Sequence, residues 1–545
     1  PDAHYDVIVV GSGYGGSAVA ARLARCNRRV ALFERGRELV PGEYPTDFSG
    51  AQRELQVHLK QKHLGSRRAL FDCYVNDDVH VLVGCGLGGT SLINASVVAK
   101  AAAEVFDDPA WPDPIRGLND PELHAGFSRA LAMLEPAQYP EQRQPLAKLS
   151  ALRLSAQRIG APLMLPPLAV TFEPRTNAAG VVQPACSGCG NCVTGCNEGA
   201  KNTLLMNYLP DAVAHGAEIY SQLEVSHVSQ DAAGWAVHGM LGSDPKQVVT
   251  VRADVVVLGA GSLGSTAILL RSTREGLPTS SQLGRRFSTN GDVLAFGYNN
   301  RMAIHGVGHS RAAPRGAPAS GPCVAGLIDA RGAHPLAEQI VIEDGAIPGA
   351  IAPVLPAGMK LGAGLSLRHL HWRHLRELPA LWRVLRSALF GPYTGAVGHT
   401  QTYLVMGHDD SAGRIELDAS GVPRIVFPEA DRLPVFEHIA RTLKTCTDAT
   451  GGMFVDNPLW STFDRHDLIT VHPLGGAPLG DTSASGVVDE RGRVFTGRDD
   501  RGVHDGLYVT DGAVIPRSLG INPLLTITAL AERCAHYIAR DRGWQ

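Results

Sequence analysis

Gly11, Gly13 and Gly16 stand in G-x-G-x-x-G spacing directly after the apolar run Val7 to Val10 and at the mouth of a helical pattern from Gly15 to Cys26. No other feature of the chain restricts its fold as strongly. The first glycine permits a tight turn and the second lets backbone approach a pyrophosphate. The third allows a helix to pack closely with its N-terminus toward the phosphates. A second apolar run, Arg29 to Phe33, completes a βαβ unit, and Glu34 closes it where a carboxylate can take hydrogen bonds from both ribose hydroxyls. These residues predict a dinucleotide held on a Rossmann-like layer.

The same grammar returns later. "DVVVLGAGSLGSTAILLR", Asp254 to Arg271, reads as strand, glycine turn and helix, and the last residues end in a helical pattern from Pro523 to Arg540. Between them, short alternating runs such as "QIVIEDG", "TYLVMG" and "GRIELD" predict an antiparallel sheet. The expected architecture is α/β, α+β overall. A dinucleotide-binding domain is assembled from residues 1–289 and 465–545, with the cysteine-rich segment 186–196 inside it, and an antiparallel-sheet substrate domain spans 290–464. A dense glycine patch, "GCGLGGTSLINAS" from Gly84 to Ser96, suits main chain pressed against a flat ring system or a loop beneath the core.

Composition removes several alternatives. A formal net charge of -3 with dispersed Lys and Arg leaves no basic surface for nucleic acid. No apolar run reaches the roughly 18 to 20 residues that cross a bilayer, so no transmembrane segment is expected. The N-terminus lacks the charged head and apolar stretch of an export signal, which together with the cysteine usage predicts a reducing, cytoplasmic setting.

Cys186, Cys189, Cys192 and Cys196 have C-x2-C-x2-C-x3-C spacing, interleaved with Gly188, Gly190 and Gly195. This is the spacing of a ferredoxin-like run, and it predicts an iron-sulfur cluster. Asn197 stands where ferredoxins carry proline, and zinc-binding or unligated thiols and disulfides remain open. From Leu367 to Leu389, leucines with Trp372 and Trp382 recur at helical spacing among Arg368, Arg373, Arg376, Arg383 and Arg386, with a kink expected at Pro379. An amphipathic helix packed on its own domain is the favoured reading; a membrane surface or a redox partner is the other.

"VIVVGSGYGGSAVAARLA", "VGCGLGGTSLINA", "VVVLGAGSLGS", "HPLGGAPLG" and "LYVTDGAVIPRSLGINPLLTITALAER" together resemble the glucose-methanol-choline oxidoreductases over essentially the whole chain, and most of all their non-covalent cholesterol oxidase branch. The resemblance implies FAD as the dinucleotide. Gly84 to Asn94, Gly89 included, would lie along the isoalloxazine, Val225 beside the adenine, and Asp511 with Gly512 near the pyrophosphate and ribityl chain. His472 would be the catalytic base and Asn522 the group that hydrogen-bonds the substrate hydroxyl. Members with covalent flavin carry a histidine in the second glycine patch. None lies between Gly84 and Ser96, so the FAD is expected to be dissociable.

Sterol-oxidising relatives use a glutamate to move a proton during double-bond isomerisation, and in "PVLPAGMKLG" the residue matched to it is Lys360, an ammonium unable to act as that base. The expected activity is hydride transfer from a bulky apolar alcohol, sterol- or terpenoid-like, to flavin N5. Electrons then leave through the cluster to a one-electron redox partner. The alternatives are an oxygen-using oxidase without a cluster, a non-redox flavin lyase or decarboxylase, and a non-catalytic electron relay.

Overall fold

Five strands in parallel order carry the first layer of the molecule: Glu218–Tyr220, Val30–Phe33, His4–Val10, Val248–Leu258 and Val503–Val509. The computed structural model describes residues 1–242, 247–310, 313–332, 334–362, 378–456 and 468–544, and of 360–362 the backbone alone. The sheet is mixed, because Val248–Leu258 also pairs antiparallel with Gly234–Leu241, which in turn pairs with Leu223–Asp231. Val7, Val9, Val30, Leu32, Val255 and Val257 are buried on one face against Ala18, Leu23 and the C-terminal helix Leu524–Asp541. Such continuous apolar runs are what a parallel sheet covered on both faces requires.

The glycines fix how closely the layers meet. A Cβ on Gly16 would lie 1.9 Å from the Gly11 carbonyl oxygen, and one on Gly259 would lie 2.6 Å from the Gly16 nitrogen. Helix Tyr14–Arg25 can therefore approach the strands Val248–Leu258 and His4–Val10 only because all three positions lack side chains.

The second layer is a six-stranded sheet in the order Met453–Asp456, Val293–Tyr298, Gln401–Met406, Ile340–Gly345, Leu327–Ala330, Leu163–Met164, with every pair antiparallel. Its last strand comes from well before residue 290, and so does helix Ala147–Ile159, which packs with helix Pro434–Thr450 on that sheet. "GRIELD" does not join it. Arg414–Leu417 folds back on Pro423–Val426 through a turn in which Asp418 accepts from the Ser420 and Val422 amides, and Ile415 and Ile425 bury against Leu263.

Residues 55–84 and Leu468–Thr470 form a third, five-stranded sheet. Leu468–Thr470 pairs parallel with Val79–Gly84 and so delivers His472 beside the start of the second glycine patch.

Candidate active site

One cavity runs along the glycine turns. Its walls include Gly11, Gly13, Glu34, Gly84, Gly89, Asn94, Val225, His472, Asp511, Gly512 and Asn522. Of the residues singled out for a dinucleotide, Gly16 alone is absent from the wall, because it is spent on helix packing.

Glu34 is fixed by its neighbours. One carboxylate oxygen accepts from the Ser12 amide at 3.1 Å and the Ser12 hydroxyl at 2.6 Å; the other accepts from the Gly36 amide at 2.7 Å. A carboxylate has about four acceptor positions, so capacity remains for a ribose hydroxyl. Ser12 also receives the Gly88 amide at 2.8 Å, tying the first glycine turn to the second patch. Sequence reading passed over Ser12, which lies inside the glycine motif and carries no spacing signal of its own. Gly89 adopts φ +55°, and a Cβ there would come within 3.1 Å of the Gly13 Cα.

Helix Tyr14–Arg25 starts at Gly13 with no side-chain cap among the described residues, and its first amides suit a phosphate. Asp511 accepts from the Gly261 amide, the Ser265 hydroxyl and the Ala513 amide, which holds the second glycine turn and the Gly512–Val514 turn together. Burial lifts its carboxyl to about 6 against the pull of those hydrogen bonds. The bare helix end, the side-chain-free floor and the fixed carboxylate all fit FAD.

Asp292 joins His472, which lines the same cavity. Its Oδ1 lies 2.8 Å from His472 Nδ1, while Oδ2 accepts from the Thr470 hydroxyl and the Val471 and His472 amides. A carboxylate so placed holds the proton on Nδ1 and leaves Nε2 as the basic nitrogen. Asp292 lies far from His472 in sequence, in "TNGDV", and no motif announced it.

The second residue missed is Glu343, in the middle of the buried strand Ile340–Gly345. It takes a hydrogen bond from the Asn522 side chain. Burial raises its carboxyl to about 8; the Asn522 bond and Lys148 oppose the shift, and Asp344 and Asp292 reinforce it. Asn522 Oδ1 and Glu343 Oε1 are buried without a hydrogen-bond partner among the described residues. Lys148 Nζ lies 3.0 Å from Asp344 Oδ2 and donates to the Pro322 and Cys323 carbonyls, so the next residue along the strand is anchored by a buried ion pair. The signal available in sequence was two consecutive carboxylates in an otherwise apolar strand, since buried charges are rare unless paired. Lys360 has its backbone in helix Leu355–Gly362, and its side chain lies outside the described residues.

The four-cysteine run shows no metal-binding group among the described residues. Among the described residues no group of three or more Cys, His, Asp or Glu side chains is placed to hold a metal ion, and all ten cysteines are free. Cys192 is buried, and its sulfur receives the Cys323 amide at 3.4 Å; the Cys186 sulfur receives the Gly188 amide. Burial pushes the Cys186 thiol up to about 11 and that of Cys192 well above its usual value, and the neighbouring cysteines of the run add to both shifts. An iron-sulfur cluster has no support among the described residues of this loop. Its glycines serve packing: a Cβ on Gly190 would meet Ser320 at 2.8 Å and one on Gly195 would meet Tyr44 at 2.0 Å. Buried Lys201 fastens this loop to the second glycine patch by donating to the Cys192, Leu92 and Asn94 carbonyls.

The N- and C-terminal profiles of the GMC oxidoreductases match residues 5–290 and 410–531, and the chain belongs to that family. It is 27% identical to a cholesterol oxidase of Acinetobacter baumannii over 98% of this chain and 94% of that protein. It is 24% identical to the long-chain-alcohol oxidase FAO4B of Arabidopsis thaliana over 96% of this chain and 66% of that one. A fungal aryl-alcohol oxidase shares the fold, with a TM-score of 0.61 at 16% identity and all of both chains covered. No helix among the described residues is long and apolar enough to cross a membrane.

Proposed function

We propose that this protein is an FAD-dependent alcohol oxidoreductase that oxidises a bulky apolar alcohol with His472 as the base. The observation that carries this reading is the Asp292–His472 pair, with His472 and Asn522 lining the same cavity as Glu34.

Gly11, Gly13, Glu34, Val225, Asp511 and Gly512 would hold the dinucleotide portion of FAD non-covalently, with Gly84, Gly89 and Asn94 along the ring. Bound there, FAD supplies the acceptor for the two electrons that leave the carbinol carbon. His472 Nε2 takes the hydroxyl proton, and Asp292 stabilises the imidazolium that results. Asn522 orients the hydroxyl through Oδ1, the buried acceptor left without a partner, while Glu343 fixes its amide. Glu343, hydrogen-bonded to Asn522, would also move a proton between carbons of a bound Δ5 sterol, the role Lys360 could not fill.

The similarity to proteins named cholesterol oxidase and long-chain-alcohol oxidase supports an apolar alcohol and oxygen as electron acceptor. Export of electrons through a cluster to a redox partner has no geometric support in the cysteine loop. Anaerobic mixing with a panel of alcohols tests the reading: a sterol or long-chain alcohol should bleach the flavin absorbance, and His472→Ala should slow bleaching by about a hundredfold. A flavin that no alcohol bleaches would point instead to a non-redox lyase or decarboxylase.

A further inference from the structure

Helix Leu378–Phe390 is built inside out. Leu378, Leu381, Trp382, Leu385 and Leu389 fall on an arc of about 100° around its axis. They are 50%, 37%, 68%, 46% and 66% exposed, and Phe390 at the end of the helix is 72% exposed. A surface helix normally turns such a stripe toward the core.

Here the polar face does the fastening. Arg383 Nε donates to Asn299 Oδ1 at 2.6 Å, Asn299 donates back to the Ala380 carbonyl, and the Ser387 hydroxyl donates to the Thr394 carbonyl and receives the Val397 amide. Gly395 lets the neighbouring short helix approach closely, since a Cβ there would meet the Arg383 carbonyl oxygen at 2.1 Å. Only Val384 reaches the apolar cluster around Phe296 and Ile347. The favoured sequence reading, an apolar face packed on its own domain, therefore fails for the described part of this stretch. Residues 363–377 lie outside the described residues.

Charge indicates what the stripe meets. From Leu378 to His408 the sequence contains no carboxylate, whereas Arg383 and Arg386 are both on the helix, in a chain whose net charge is -3. Arg386 is exposed beside the stripe. Leucines around an exposed tryptophan, with arginine beside them and no acid from Leu378 to His408, suit the boundary between headgroups and acyl chains of an anionic bilayer. The helix lies in the connection between the strands Ile340–Gly345 and Gln401–Met406, which pair with each other and hold Glu343.

We propose that helix Leu378–Phe390 docks the protein on anionic lipid surfaces, with Trp382, Leu385 and Leu389 entering the acyl boundary and Arg386 meeting headgroups. The docking is independent of which alcohol is oxidised.

The test uses the full-length flavoprotein with phosphatidylglycerol-containing and pure phosphatidylcholine vesicles. The protein should sediment with the anionic vesicles, less so in about 0.5 M salt, and its tryptophan emission should shift to the blue, a shift lost in Trp382→Phe. Leu385→Gln/Leu389→Gln should lower the bound fraction roughly tenfold or more, and Arg386→Gln should weaken binding to anionic vesicles only. These side chains are exposed, so thermal stability and flavin content should be unchanged. Equal sedimentation of wild type and the double variant would overturn the proposal, as would no sedimentation at all. A dimer in light scattering that the double variant abolishes, without vesicle binding, would assign the face to a second copy of the chain and overturn it too.

Discussion

Asp292 Oδ1 lies 2.8 Å from His472 Nδ1, and the other oxygen of the same carboxylate receives the amides of Val471 and His472 itself. One side chain thus sets both the tautomer of the imidazole and the path of the loop that carries it. Asp292→Asn puts an amide N–H against one of these donors, whichever way it is turned. Flavin reduction by alcohol should fall about a hundredfold with FAD still bound. Stopped-flow absorbance measures it, and an unchanged rate would leave Asp292 with a purely structural role.

Glu343 predicts the fate of an unsaturated product. With a Δ5 sterol, the wild-type protein should release the conjugated enone, and Glu343→Gln should stop at the unconjugated ketone. Because the acting form is the carboxylate and its carboxyl is raised to about 8, enone formation should quicken as pH rises through that value. Ultraviolet absorbance of the product separates the outcomes. Enone at the wild-type rate from the glutamine variant would remove Glu343 from proton transfer.

The same carboxyl should leave a mark on stability. An unfolded Glu titrates near 4.3, so between about that pH and 8 the folded protein keeps a proton the unfolded chain has lost. Stability must then fall as pH rises across that window, by at most about 1.4 kcal/mol per pH unit from this group. In Glu343→Gln this contribution is gone. The melting temperature of wild type relative to the variant should therefore decline from about pH 5 to 8; parallel curves would show that Glu343 titrates normally.

Flavin attachment follows from the two glycine loops. Acid precipitation should leave the yellow colour in the supernatant, because no histidine lies between Gly84 and Ser96 to form a covalent link. Gly16→Val should yield protein without flavin or no folded protein, since even a Cβ would lie 1.9 Å from the Gly11 carbonyl oxygen. Colour retained in the pellet would contradict non-covalent binding.

For the cysteine loop, protein prepared without air should contain no stoichiometric iron or acid-labile sulfide, and turnover should yield hydrogen peroxide in step with the alcohol consumed. Iron at several atoms per chain would reinstate the cluster suggested by the spacing.

The sequence alone determined the dinucleotide layer. Gly11, Gly13, Gly16 and Glu34 act within one βαβ unit, where spacing is geometry, and the alternating runs of the antiparallel sheet were legible for the same local reason. It also supplied the residue types and spacing for a cluster, whereas the contacts of that loop with Tyr44, Ser320 and Cys323 belong to the tertiary structure. Tertiary structure decided the group proposed to react. His472 reaches the cavity because Leu468–Thr470 pairs with Val79–Gly84; Asp292 meets it from the second sheet, and Glu343 meets Asn522 from a strand whose register is set by its neighbours. Helix Leu378–Phe390 makes the same point in reverse: its periodicity was evident, yet which face turned outward depended on Asn299, Thr394 and Gly395 gripping the polar side. Periodicity records a helix's own faces, whereas the choice between them is a property of what the rest of the chain brings alongside.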